Sequence, residues 1–76
     1  MPHIEIKAFP RELTDEQETA LARALTEVLE QHMQSKESAV SIALKYIPQA
    51  EWKASVWDTQ IAPEMDELIK KPGYKM

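Results

Sequence analysis

Polar and apolar residues alternate along the start of the chain, between His3 and Ala8. The apolar members of this alternation are Ile4, Ile6 and Ala8. A period of two is typical of a half-buried β-strand, because successive side chains point to opposite faces. Pro10 has no backbone N–H to donate to a sheet, so we expect the strand to end before it.

The next pattern has the period of an α-helix and runs from Thr14 to Gln34. Thr14 and Gln17 match a capping box, in which each side chain binds the other residue's backbone N–H. No glycine or proline interrupts the segment, and one helix face carries its apolar residues, Leu21, Ala24, Leu25, Val28, Leu29 and Met33. We therefore predict a helix of about 20 residues. His32 continues the apolar face, so we expect a packed core histidine there rather than a base.

A second alternating segment follows the helix, from Ala39 to Ile47. One of its faces carries Val40, Ile42, Leu44 and Tyr46. Because the two predicted strands are joined by a long helical connection, parallel pairing with a right-handed crossover is favoured. The pattern therefore predicts a βαβ unit.

The last third of the chain predicts a short C-terminal helix. Apolar residues recur there at helical spacing, at Trp57, Ile61, Met65, Leu68 and Ile69. Pro63 fits the first turn of a helix, where its missing N–H does no harm. We expect the helix to start near Pro63 and to stop at Pro72-Gly73, with a separate turn or kink before it.

Length and composition favour a single domain, residues 1–76, that associates with a second copy. A chain of 76 residues without cysteine has no disulfide to stabilise its small core. Two strands also leave two open sheet edges, and the small side chains of Ser41 and Ala43 would admit close approach by another subunit. We predict an α+β fold in which two βαβ units share one four-stranded sheet in a homodimer.

Charge, histidine content and hydropathy argue against a nucleic-acid, metal or membrane partner. A net charge of −4 argues against a nucleic-acid partner, which needs clustered lysine and arginine. Two histidines, His3 and His32, give no metal-ligand cluster. No apolar run approaches the roughly 20 residues that span a bilayer, and no secretory signal precedes the first strand, so we expect a cytoplasmic protein without a membrane partner.

Pro2 is the residue with the most distinctive chemistry. If Met1 is removed, Pro2 carries a secondary amine that a strand would hold rigidly. An apolar pocket, or a cation such as Arg11 nearby, would lower the pKa of this amine until it could act as a general base and then as an acid. The alternative is that proline merely begins the strand, since Met-Pro is a common start.

Several segments resemble the 4-oxalocrotonate tautomerase family, in particular its PptA-type branch of small bacterial tautomerases. These are Pro2 with the strand behind it, the helix start Asp15-Glu16-Gln17, the strand Val40-Ser41-Ile42-Ala43-Leu44, the opening PHIEIKAFPREL and the ending IAPEMDELIKKPGYKM. The resemblance implies a cofactor-independent isomerase without a metal, whose terminal proline moves a proton between oxygen and carbon of an enol. It also implies paired βαβ units, with a dimer expected for this branch.

The resemblance assigns the site residues one at a time. Pro2 matches the catalytic proline, Arg11 lies near a carboxylate-binding arginine, and Trp52 falls near an aromatic that lines the pocket. Ser41 stands where well-studied members carry an arginine that polarises a carbonyl. A site without that arginine, with Trp52 and Phe9 as walls, suits an aromatic enol such as enolic phenylpyruvate better than a dicarboxylate. For Trp57 we expect plain packing.

Two alternatives remain open. A protonated Pro2 could serve a hydratase or decarboxylase of unsaturated acids, which would need Glu5 or Glu51 to activate water. The chain could also be a non-catalytic dimeric binding module that keeps the same scaffold.

Overall fold

A βαβ unit forms the first two thirds of the chain in the computed structural model, which describes all residues from 1 to 76. Strand β1 spans His3–Ala8, helix α1 spans Asp15–Met33 and strand β2 spans Ser41–Tyr46. A π-helix follows at Lys53–Ile61. Single 3₁₀ turns lie at Glu37–Ala39, Gln49–Glu51 and Met65–Glu67.

The two strands pair in parallel, as predicted. The N–H of Ser41 donates to the carbonyl of Pro2 at 3.2 Å, and the N–H of Ile47 donates to the carbonyl of Ala8 at 2.8 Å. The partners advance in the same direction on both strands, as parallel pairing requires. Strand β2 starts later than predicted because Ala39 closes a 3₁₀ turn, donating its N–H to the carbonyl of Lys36 at 2.9 Å.

Helix α1 begins with the predicted capping box. Gln17 N–H donates to the Thr14 hydroxyl at 3.1 Å, and Thr14 N–H donates to the Gln17 side-chain oxygen at 2.8 Å. Gln34 caps the helix and donates its N–H to the carbonyl of Leu29. Its left-handed φ of 51° turns the chain so that the N–H of Ser35 also reaches that carbonyl, at 3.4 Å. Neither α1 nor any other helix is long and apolar enough to cross a membrane.

The expectation that His32 packs in the core is wrong. The half-buried stripe on α1 runs along Leu21, Ala22, Leu25, Thr26 and Leu29. His32 and Met33 are exposed because nothing covers the last turn of the helix.

The predicted C-terminal helix is also placed wrongly. The helix lies before Pro63, at Lys53–Ile61, and beyond it only Met65–Glu67 forms a turn. Burial explains the difference, because the helix forms where Val56 and Trp57 pack, whereas Ile69 is fully exposed and has no core to join. Pro63 therefore follows the helix end, a position where its missing N–H stops further helix.

The chain groups into two compact units. The first, which we call the strand–helix unit, contains residues 1–6 and 11–45; the second, the aromatic unit, contains residues 7–10 and 46–76. The strand–helix unit has no fully buried side chain. The aromatic unit holds both buried residues, Val56 at 4% exposure and Trp57 at 7%.

Candidate active site

Pro2 stands immediately before β1 and is half-buried, whereas Met1 is fully exposed. The Pro2 carbonyl accepts the hydrogen bond from the Ser41 N–H, so pairing between the strands reaches back to the second residue. The pyrrolidine ring fixes the backbone φ at this position. The position of the Pro2 nitrogen is therefore restrained by the pyrrolidine ring and by the hydrogen bond between the Pro2 carbonyl and β2.

Ser41 holds the start of β1 with two groups. Its backbone N–H binds Pro2, and its hydroxyl shares a hydrogen bond of 2.6 Å with Nδ1 of His3. The sequence places Ser41 among the candidate site residues, and the structure brings it to Pro2. Because its hydroxyl is engaged by His3, Ser41 is better suited to positioning the chain than to binding a ligand alone.

An ion pair lies further along the same face of the sheet. Nζ of Lys45 lies 2.7 Å from Oε1 of Glu5, and both side chains are substantially exposed. Glu5 is therefore engaged by an ammonium group, which disfavours it as a water-activating base. Glu51, the other carboxylate considered for that role, is exposed in the 3₁₀ turn Gln49–Glu51.

Arg11 follows β1 and is exposed. Its guanidinium makes no hydrogen bond or ion pair with another residue of the chain, so all its donors are available to a ligand. The fork of the guanidinium matches the two oxygens of a carboxylate. No contact in the chain joins Arg11 to Pro2 or to Ser41.

Trp52 belongs to a group of four aromatic residues in the aromatic unit, which we call the aromatic cluster: Phe9, Trp52, Trp57 and Tyr74. The rings of Phe9 and Trp52 meet edge to face, with centroids 5.2 Å apart and planes at 86°. The indole Nε1–H of Trp52 donates to the Tyr74 hydroxyl at 3.2 Å. Tyr74 also packs on Trp57 at 5.4 Å.

The expectation for Trp57 is confirmed, since its side chain is buried and packs as part of the core. Tyr74, by contrast, is missed by sequence reasoning, which assigns no element or role to residues beyond Pro72-Gly73. A signal was present, because Tyr74 is the last aromatic residue of the chain, and a large aromatic side chain commonly packs against others.

A surface groove of about 470 Å³ lies along the polar side of α1. Its lining is mostly charged or hydroxylated, and consists of Thr19, Ala22, Arg23, Thr26, Glu27, Glu30 and Glu37. It contains neither Pro2 nor any other candidate residue.

In the chain as a whole, no three histidine, aspartate or glutamate side chains are grouped so that they could hold a metal ion.

Comparison with known proteins gives a consistent result. Residues 2–58 match the model of a family described as tautomerase enzymes. The full chain is 64% identical to Tautomerase PptA of Klebsiella pneumoniae strain 342, and 60% identical to Tautomerase PptA of Enterobacter sp. strain 638. It is 58% identical to Tautomerase PptA of Cronobacter sakazakii. Each of these alignments covers 100% of both chains.

Proposed function

The chain belongs to the tautomerase family, and from that premise we propose that the amine of Pro2 is the group that moves the proton. As a member of this family the protein is an isomerase that interconverts keto and enol forms. The family assignment favours catalysis over the alternative of a non-catalytic binding module. The observation that carries the proposal is the half-buried Pro2, held by Ser41 at the start of β1.

The reaction needs Met1 to be removed. While Met1 is attached, the nitrogen of Pro2 is part of an amide and has no basicity. Met1 is fully exposed, so an aminopeptidase can reach it. Its loss turns Pro2 into a secondary amine whose ring and carbonyl remain fixed.

The proposed chemistry is a proton transfer without net change in the enzyme. Neutral Pro2 takes the hydroxyl proton of an enol, which leaves an enolate whose electron pair is available at carbon. The same nitrogen, now an ammonium, returns its proton to that carbon. One O–H bond breaks and one C–H bond forms, so the keto product leaves Pro2 neutral again.

Two residues suit the remaining parts of an aromatic 2-hydroxy-enoate. The unpaired guanidinium of Arg11 can bind the carboxylate in a bidentate manner. The indole of Trp52 offers an aromatic surface to the ring. Ser41 takes the place of an arginine that would suit a second carboxylate, and this favours aromatic enols such as enolic phenylpyruvate over dicarboxylates.

We also propose that the protein works as a homodimer. The two-stranded sheet has two open edges, and the apolar residues of β1, α1 and β2 are half-buried or exposed within one chain. A second copy pairing its sheet with the first would cover them. Sedimentation over a dilution series should give a mass of about twice 8.7 kDa, and a monomer mass at micromolar concentration would contradict the dimer.

The decisive test of the mechanism is Pro2→Ala, assayed with enolic phenylpyruvate. We expect kcat/KM to fall by about 10²-fold or more, the usual contribution of general acid–base catalysis. The matched control is Pro10→Ala, which replaces an exposed proline just beyond β1 and should keep the native rate. Intact-mass measurement must show that both variants have lost Met1.

A native rate in Pro2→Ala would overturn the proposal. A pH profile separates the mechanism from proline acting first as an acid in hydration or decarboxylation. Ketonisation by a basic amine is lost as acid protonates Pro2, whereas an acid role is lost as alkali deprotonates it.

A further inference from the structure

Tyr74 lies outside residues 2–58, the part of the chain that matches the family model. It nevertheless contacts both tryptophans of the chain. Its hydroxyl accepts the indole N–H of Trp52 at 3.2 Å, and its ring packs on Trp57 with centroids 5.4 Å apart. Tyr74 is thus joined to two side chains of the preceding helical segment, namely its N-cap residue Trp52 and its buried residue Trp57.

The π-helical backbone explains how both indoles reach one tyrosine. Trp52 and Trp57 are five positions apart, and in an α-helix such residues point about 140° away from each other. In a π-helix the backbone bonds link residues five apart, as between the Ala62 N–H and the Trp57 carbonyl at 2.9 Å. Residues at this spacing therefore lie one above the other.

A second side-chain pair confirms the five-residue period. Nζ of Lys53 lies 3.2 Å from both carboxylate oxygens of Asp58, and these residues are also five apart. On an α-helix, ion pairs form between residues three or four apart instead. The local period of five is thus visible in polar and aromatic pairs alike.

The two tryptophans differ in what they can do. Trp57 is 7% exposed and belongs to the core. Trp52 is only half-buried, meets the edge of Phe9, and has its one polar group bound by Tyr74. Trp52 is therefore partly accessible, and its indole is restrained by one hydrogen bond and one ring contact.

We propose that Tyr74 is a positioning residue that fixes the indole of Trp52 for recognition of an aromatic substrate ring. This rests on the proposed function, because Trp52 matters to specificity only if the substrate carries such a ring. Without the Tyr74 hydroxyl the indole regains rotational freedom, which must be lost again when a ring binds. Tyr74 thereby favours aromatic over aliphatic enols.

The test compares Tyr74→Phe with Tyr46→Phe. The first substitution removes the hydroxyl that binds Trp52 and keeps the ring that packs on Trp57. The second alters the only other tyrosine, whose hydroxyl makes no hydrogen bond in the chain. Both variants are assayed with enolic phenylpyruvate and with an aliphatic enol such as enolic 2-oxobutanoate.

For Tyr74→Phe we expect KM for the aromatic enol to rise roughly two- to tenfold, the range that one hydrogen bond supplies. Its kcat, and both constants for the aliphatic enol, should stay at native values. Tyr46→Phe should leave all of them unchanged. An equal rise in KM for both enols, or none for the aromatic one, would overturn the proposal.

NMR spectroscopy can test directly whether the Tyr74 hydroxyl binds the indole N–H of Trp52. The two tryptophans give two indole N–H cross-peaks in a proton–nitrogen correlation spectrum of the full chain. Tyr74→Phe should shift the peak of Trp52 and leave that of Trp57 in place. A Trp52 peak that does not move would show that the hydroxyl does not hold the indole, and would also overturn the proposal.

Binding of 3-phenylpropionate, an aromatic acid that cannot tautomerise, separates this proposal from the mechanism. Its dissociation constant should rise in Tyr74→Phe by the same factor as KM, whether or not Pro2 is the base. If Pro2→Ala keeps the native rate while this constant rises, only the mechanism fails. If Pro2→Ala abolishes activity while the constant is unchanged, only the role of Tyr74 fails.

Discussion

The strand–helix unit and the aromatic unit are stabilised in different ways. In the strand–helix unit the side-chain contacts are polar and mostly exposed, and include the capping box of Thr14 and the pairs His3–Ser41 and Glu5–Lys45. In the aromatic unit the side-chain contacts include the ring pairs Phe9–Trp52 and Trp57–Tyr74, together with one ion pair and the hydrogen bond from the Thr59 hydroxyl to the Ser55 carbonyl. Both buried residues of the chain, Val56 and Trp57, are in the aromatic unit.

Because of this difference, the proposed catalytic residue and the buried core belong to different units. The proposed base, Pro2, belongs to the unit held by hydrogen bonds, where a lost side-chain contact is replaced by water at small cost. The aromatic unit depends on burial, where a lost side chain leaves a cavity. Changes in the strand–helix unit should therefore alter activity more than stability, and changes in the aromatic core should do the reverse.

The largest expected effect on stability is that of Trp57→Ala. Removing this buried indole should lower the free energy of unfolding by about 3–5 kcal/mol. Urea denaturation measures the change, with Trp52→Ala as the control. Because Trp52 is only half-buried, its loss should cost clearly less, and equal losses would break the distinction between the two tryptophans.

Thr14→Ala should have a smaller effect, about 1 kcal/mol, because it removes the N-cap of α1. Thermal or urea unfolding measures it. The control is Thr19→Ala on the same helix, where alanine is the better helix former and stability should hold or rise slightly. If both variants lost the same stability, the capping box would not be the cause.

Ser41→Ala should change activity rather than stability. It removes the hydroxyl that binds His3 beside Pro2, so we expect kcat/KM to fall roughly two- to tenfold. The free energy of unfolding should stay within about 0.5 kcal/mol of native, because Ser41 is exposed. Ser41→Thr keeps a hydroxyl and should recover most of the rate, and Ser38→Ala should change neither quantity.

The smallest effects should come from the two ion pairs, one in each unit. Lys45→Ala and Lys53→Ala should each cost less than about 1 kcal/mol, because both pairs are exposed to solvent. The cost should shrink further in 1 M salt, where charges on the surface are screened. A large loss that salt does not reduce would mean that either pair contributes more than a surface contact.

Periodicity in the sequence is sufficient for the βαβ unit, because its patterns are local. Alternation predicts β1 and β2, and the capping residues Thr14 and Gln17 predict where α1 begins. The segment after Pro48 is different, since a helical period near four predicts a helix beyond Pro63 that does not form. The observed helix has a period of five and carries the buried Trp57, and contacts with distant segments cannot be read from local spacing.

Among the candidate site residues, too, some can be recognised from the sequence and others only from the structure. Pro2 can be recognised from the sequence because its chemistry follows from its place behind a removable methionine. The roles of His3 and Ser41 at its side depend on the register between β1 and β2, which brings together two residues 38 positions apart. Sequence alone also leaves Tyr74 as a tail residue, since nothing near it in the chain contacts it.

The sequence by itself therefore determined the strand, helix and strand, the cap of α1, the family, and Pro2 as the candidate for the proposed base. These depend on residue type and on neighbours within a few positions, where backbone geometry dictates the pattern. Only the tertiary structure decided that Lys53–Ile61 is a π-helix and that Trp52 is held by Tyr74, 22 residues away. Such contacts form between segments that are distant in the chain and meet only after folding, so local residue patterns cannot specify them.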